Sequence, residues 1–270
     1  MSRRILLLAF ALLAGCAAAP AATPPAPAPA ATAPTRSMLG TGYLPRGEVP
    51  DSLLINPPPP APGSGAEARD LEGAQSAVGL QGSDRFALAV ADADLFTHGA
   101  TSAFSCAAQF PIAASSRLDA LLRRSASDFA MAVYPTKTRY QRSRPFMANG
   151  KPTCTPDMEG VLRKDGSYPS GHSAIGYGWG LVLAQVFPSR AAQLVARGTA
   201  FGDSRRVCNA HWLSDVEEGR AVAAAVFARL QSEPAFQADL AAARDDLARI
   251  RVIPPDAAAC AKEAAALAMR

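Results

Sequence analysis

Tyr168-Pro169-Ser170-Gly171-His172 stands at the head of an apolar, Gly-rich run that continues to Phe187 and is closed by Pro188. Pro followed by Ser and Gly, directly before such a run, is a helix start. The first-turn amides of a helix lack intrahelical acceptors, and Gly lets an anion approach the backbone closely. His172 then lies in the first turn, beside any anion held there. Taken alone, the stretch reads equally well as a plain cap followed by a surface His. Gly176, Gly178 and Gly180 lie inside the run. Each costs on the order of 1 kcal/mol against Ala in a helix, which close helix packing would explain.

The chain on either side reads as helical too. Ala, Leu and Arg dominate, and β-branched runs are rare. Helices are expected over 84–96, 115–133, 190–202, 214–230 and 234–250, with a short Ala-rich tail to Arg270. In 115–133 the apolar Leu118, Leu121, Leu122, Phe129 and Val133 fall near helical spacing. Short connections predict an all-α, single-domain helical bundle. The sequence has no internal repeat, no Gly-x-Gly-x-x-Gly and no Walker-type loop.

Two further stretches carry reactive side chains. Lys137 to Pro145 holds four cations, Lys137, Arg139, Arg142 and Arg144. If that stretch is helical, Lys137 and Arg144 are seven apart and share a face. A short basic run by itself is usually a solvated surface. Ser204 to Asp215 contains Arg205, His211 and Asp215. On a helix, His211 and Asp215 at a spacing of four place a carboxylate beside an imidazole. The Asp can accept from one ring nitrogen and leave the other free as a nucleophile. By itself such a pair is more often a structural hydrogen bond.

Together the three stretches read Lys-x6-Arg-Pro, then Pro-Ser-Gly-His, then Ser-Arg-x5-His-x3-Asp. They are filled at Lys137, Arg144-Pro145, Pro169 to His172, Ser204-Arg205, His211 and Asp215. This resembles the signature of the type-2 phosphatidic acid phosphatase superfamily, over about residues 86–247. The contexts Gly166 to His172 and His211 to Val216 resemble the bacterial class A non-specific acid phosphatases. The resemblance implies a helical bundle of the acid phosphatase and vanadium haloperoxidase type that hydrolyses phosphate monoesters. It assigns phosphate binding to Lys137, Arg144, Ser170, Gly171 and Arg205, with the backbone amides of Ser170 and Gly171 in the cradle. His211 would attack phosphorus and become phosphohistidine, Asp215 would hold its tautomer, and His172 would protonate the leaving alkoxide. Three cations would balance the transition-state charge, so neither cofactor nor metal is implied. Transfer of phosphate to an alcohol is a plausible side activity. His98, the third His of the chain, matches no motif position.

Rival readings are weaker. Vanadium haloperoxidases share this anion site, but the chain is short for them. An integral lipid phosphatase would need several spanning helices, and no stretch after the first fifteen residues is long and apolar enough. A non-enzymatic lipoprotein would predict decay of at least one motif residue, and every position is filled.

The N-terminus reads as an export signal over residues 1–15. Arg3 and Arg4 precede the short apolar run Ile5 to Leu13. Leu13-Ala14-Gly15-Cys16 resembles a lipobox, which implies lipid on Cys16 and a periplasmic protein anchored to a bacterial membrane, the outer one by expectation. Residues 17–34 are almost wholly Ala, Pro and Thr and read as a tether. Pro57 to Pro60 and Gly63-Ser64-Gly65 extend the irregular lead-in to residue 69. The folded domain is expected over 70–270, roughly 200 residues. Removing Arg3 and Arg4 with the signal lowers the formal net charge from +4 to +2. Bulk charge therefore points away from nucleic acid, and the membrane is a partner through the anchor only. Homo-oligomerisation stays open.

Beyond Cys16, four Cys remain. An even set in an exported protein suggests disulfides, and spacings near 50 without Cys-x-x-Cys argue against zinc. Four Cys allow three pairings. Cys154–Cys208 with Cys106–Cys260 is favoured, because the first bond would tie the phosphate-binding segments together.

Overall fold

The computed structural model describes residues 40–97 and 99–269. The signal, Cys16, the tether and His98 lie outside the described residues. The described chain is all-helical, with no strand. Its α-helices of five residues or more are α1 (Gly65–Val78), α2 (Asp84–Ala91), α3 (Ser116–Ala132), α4 (Tyr134–Tyr140) and α5 (Pro145–Asn149). They continue with α6 (Gly171–Val186), α7 (Ala191–Val207), α8 (Leu213–Leu230), α9 (Pro234–Leu247) and α10 (Ala257–Ala268). No helix among the described residues is long and apolar enough to cross a membrane.

The apolar run that decides the fold is the centre of the bundle. α6 packs against α7, α8 and α3; α9 covers α3, and α1 and α2 lie on α7. Its glycines are there for close approach. A Cβ on Gly180 would lie 2.8 Å from the Leu194 carbonyl oxygen, and one on Gly198 of α7 would lie 2.6 Å from that of Gly176. Gly176 and Gly178 face the rings of Phe201 and Phe129. Trp179 fills the space beside them and donates its Nε1–H to the Leu122 carbonyl at 2.7 Å. The expected set in α3, Leu118, Leu121, Leu122, Phe129 and Val133, is wholly buried.

Several boundaries differ from the sequence reading, each for a tertiary reason. α2 stops at Ala91, five residues early, because Asp92 turns inward onto Arg197 and Ser204. α7 runs through Gly202 to Val207. Gly202 is a packing residue whose Cβ would meet Ser173 Oγ at 2.8 Å, not a terminator. The basic run is not one helix: α4 ends at Tyr140, with Gln141 left-handed at φ 43°. Arg144 is extended ahead of Pro145, as a residue before proline prefers.

The lead-in is also more ordered than its composition suggested. Tyr43 and Leu44 are buried, and their amides donate to the Asp128 carboxylate at 2.8 and 3.0 Å. Gly63-Ser64-Gly65 is a helix start: Ser64 Oγ caps α1 by accepting from the Glu67 amide. The folded part therefore begins well before Asp70. Cys154 is bonded to Cys208, and Cys106 to Cys260. The first joins the loop after α5 to the end of α7, and the second joins the segment before α3 to α10.

Candidate active site

Five helix ends meet at one point. α4 supplies Lys137, the cap of α5 supplies Arg144, the first turn of α6 supplies Ser170 to His172, the last turn of α7 supplies Arg205, and the turn into α8 supplies His211 and Asp215. The positive ends of α6 and α8 both point here, which favours an anion.

His211 precedes α8, whose cap is Trp212, so the pair with Asp215 is not made along a helix as the spacing suggested. It forms nonetheless, with Nδ1 3.2 Å from Asp215 Oδ2. That oxygen also accepts the Trp212 amide at 2.8 Å. The other nitrogen, Nε2, lies 2.9 Å from Arg144 Nη1. A carboxylate accepts and a guanidinium donates, so the proton sits on Nδ1 and Nε2 carries a lone pair. Burial, then the charges of Arg144, Lys137 and Arg205, hold the imidazole well below its ordinary pKa. These charges favour the neutral ring, and Nε2 faces the cations.

Those cations are buried. Lys137 Nζ donates to Asp165 Oδ2 at 3.1 Å and to the Gly166 carbonyl. Arg144 reaches the same carboxylate oxygen at 3.0 Å and the Ala210 carbonyl at 3.0 Å. Burial pushes the Lys137 pKa down to about 8, with Asp165 opposing. Arg205 differs from both. It is buried, yet among the described residues its Nε and Nη1 have no hydrogen-bond partner. Burial first, and Arg144 second, push its pKa down to about 9. A buried guanidinium without an acceptor is energetically exposed and fits a site built for an anionic ligand.

Ser170 caps α6, accepting the Ser173 amide at 3.3 Å. Its own amide donates to the Asp215 carbonyl at 2.8 Å, so it is spoken for. The amides of Gly171 and His172, by contrast, make no bond within the described chain. His172 Nε2 lies 3.0 Å from the Ala93 carbonyl, which can only accept. Nδ1 is the nitrogen left free. Burial, then Arg205, hold the His172 pKa well below its ordinary value. Of the four cations in the basic run, only Arg139 is exposed. Among the described residues, no three His, Cys, Asp or Glu side chains gather as a metal site.

The model of the PAP2 superfamily matches residues 125–232, a span that contains all three motifs. An acid phosphatase of Zymomonas mobilis subsp. mobilis is 40% identical over 221 residues, 80% of this chain and 83% of that protein. A non-specific acid phosphatase of Salmonella typhi is 41% identical, covering 74% and 81% of the two chains. That of Providencia stuartii is 37% identical, covering 77% and 86%. The chain belongs to the PAP2 superfamily. Within it, this is an acid phosphatase of the class A type.

In this acid phosphatase the motif residues are only part of the site. Asp165, one position before Gly166, holds both Lys137 and Arg144 and was not singled out by the sequence reading. Arg142 belonged to the basic run without a role. It donates to Asp215 Oδ1 at 2.8 Å and to Asp70 Oδ2 at 2.7 Å. Asp70 comes from α1, and nothing in its local sequence marks it.

Proposed function

We propose that this acid phosphatase hydrolyses phosphate monoesters through a covalent phosphohistidine on His211. The observation that carries the reading is His211, bonded at Nδ1 to Asp215 and at Nε2 to Arg144, in the field of a buried Arg205 whose Nε and Nη1 lack partners among the described residues. Lys137, Arg144 and Arg205 take the phosphate oxygens, joined by the Gly171 and His172 amides and the Ser170 hydroxyl. Nε2 attacks phosphorus, the N–P bond forms and the P–O bond to the leaving group breaks. The negative charge of the bound phosphate offsets the burial and the Arg205 charge that lower the His172 pKa, and His172, protonated on Nδ1 in that complex, gives its proton to the departing oxygen. It then takes a proton from the water that attacks the phosphoenzyme, and phosphate leaves with His211 regenerated. Asp215 keeps the Nδ1–H of His211 in place and stabilises the imidazolium of the intermediate. The three cations balance charge on the phosphoryl group, so turnover runs without a divalent ion. The substrate range is broad, and an alcohol that reaches the phosphoenzyme accepts its phosphate.

Acid-quench trapping of labelled enzyme tests the covalent step. Wild type should carry label in the presence of chelator and lose it to vanadate. His211→Ala should carry none. Label in His211→Ala, or activity lost in chelator and restored by a divalent ion, would overturn the mechanism. We place the enzyme in the periplasm, anchored by lipid on Cys16, from the lipobox-like Leu13 to Cys16. Mass spectrometry of the mature N-terminus should find an acylated Cys16; an unmodified N-terminus downstream would remove the anchor and leave the phosphatase reading intact.

A further inference from the structure

Behind His211 the chain has built a second layer whose charges do not cancel. Asp215 is fully buried and Asp70 nearly so, and one guanidinium, Arg142, lies between them. Ser214 locks the geometry. Its amide donates to Asp70 Oδ1 at 2.8 Å and its hydroxyl to Asp70 Oδ2 at 2.6 Å. Arg142 Nη1 also donates to Ser214 Oγ at 2.8 Å, and its guanidinium lies over the Trp212 ring, 5.3 Å from the centroid. Both carboxylate oxygens of Asp70 are engaged, so its orientation is fixed by α1, the Arg142 loop and the start of α8 together.

With His211 neutral, the trio of Asp70, Arg142 and Asp215 carries a net charge of minus one. If Asp70 were absent, Arg142 alone would neutralise Asp215. Asp70 restores the negative excess that faces the imidazole. That excess is balanced only when His211 becomes an imidazolium, as it does on gaining a phosphoryl group at Nε2 while keeping Nδ1–H. We infer that Asp70 and Arg142 are positioning residues for the nucleophile: Arg142 aims Asp215 at His211, and Asp70 offsets the Arg142 charge so that Asp215 favours the cationic phosphorylated state of His211 over its neutral resting state. The inference rests on the phosphohistidine reading above.

The test is single-turnover kinetics on Asp70→Asn, Arg142→Lys and Arg142→Gln, with inhibition by inorganic phosphate and thermal melts alongside. Partners that orient metal-binding His typically matter by 10–100-fold, and about 10-fold is expected for phosphoenzyme formation in Asp70→Asn. The inhibition constant for phosphate should stay within about twofold, since neither residue touches the anion site. Arg142→Lys should recover part of the rate lost in Arg142→Gln. The pH profile gives the readout that a merely structural role would not move. Asp215 is faced by Arg142, His211, Arg144, Lys137 and Tyr168, and Arg142 by Asp70, Asp215, Tyr168 and Trp212. Burial raises the Asp215 pKa, and Arg142 is the first group opposing it. Losing that charge in Arg142→Gln should move the acid limb of phosphoenzyme formation to higher pH. Unchanged formation rates in Asp70→Asn, or losses that track phosphate affinity and melting temperature in all three variants, would overturn the assignment. A wild-type enzyme that traps no label would instead remove the phosphohistidine reading itself.

Discussion

Replacing Arg205 by Met should make the free enzyme more stable and the ligand-bound enzyme less so. The guanidinium is buried, its Nε and Nη1 lack acceptors among the described residues, and its pKa is pushed far down to about 9. At roughly 1.4 kcal/mol per pH unit, that shift corresponds to a folded-state cost on the order of 5 kcal/mol for the charged form. The sign follows from linkage. The folded pKa lies below the unfolded one, so the cost is present in full at every pH below the folded value. It fades as pH rises through about 9. Met fills most of the volume without the charge. Apolar replacement of buried charged groups typically recovers about 1–4 kcal/mol. For a domain of this size that is a rise of about 2–16 °C in melting temperature, equal at pH 5 and pH 7.

Phosphate should separate the two states. At one hundred times its dissociation constant, a ligand stabilises the wild type by about 2.7 kcal/mol. The variant should gain almost nothing from the same concentration, and turnover should fall by about 10²–10³-fold, as for the loss of one preorganised donor. Thermal melts with and without phosphate, beside initial rates, give both numbers. A lower melting temperature for Arg205→Met in phosphate-free buffer would refute the strained-cation argument. Undiminished stabilisation by phosphate would refute the site.

Two other outcomes follow from the same geometry. His172→Ala should slow hydrolysis of an alkyl phosphate by about 10²–10⁴-fold and that of a nitrophenyl phosphate much less, because a phenolate leaves without a proton; equal losses on both esters would assign the acid elsewhere. Gly198→Ala should destabilise the fold by about 1–3 kcal/mol, since the added Cβ would lie 2.6 Å from a backbone oxygen that cannot rotate away, and chemical denaturation should show a lower midpoint with the slope unchanged.

How far the sequence reached depends on whether a residue's role is local. Helix α6 was legible because Pro169, Ser170 and the apolar run that follows form a start signal within a few residues. The motif side chains were legible because their spacing repeats a known pattern. What failed was whatever a distant partner decides. Nothing near Asp92 says that α2 must stop for Arg197, more than a hundred residues away. Gly202 looks like a helix end until Ser173 is seen passing against it. Gly63-Ser64-Gly65 looked irregular because the helix it caps buries little apolar surface, and its reason for docking is a polar residue, Asp70. The disulfides fall between these cases: four Cys limited the pairings to three, and the position of Cys208 inside a motif favoured the pairing that is found.

The roles of the buried charges follow from counting them against their partners. Lys137 and Arg144 share Asp165, Arg142 is shared by Asp215 and Asp70, and Arg205 makes no ion pair among the described residues, with only the more distant charge of Asp92 opposing its burial. A fold selected for stability alone would pair Arg205 or discard it, since an unpaired buried cation is among the most costly features a core can hold. Here the surplus positive charge lies on the ligand side of His211, and the surplus negative charge of Asp70 and Asp215 lies behind it. In the proposed mechanism one event would bring the two halves into balance. A phosphoryl group arriving at Nε2 would supply acceptors for Arg205 in front and a cationic ring for Asp215 behind. On that reading, the charges left unmatched in the resting state mark the bond that the enzyme forms.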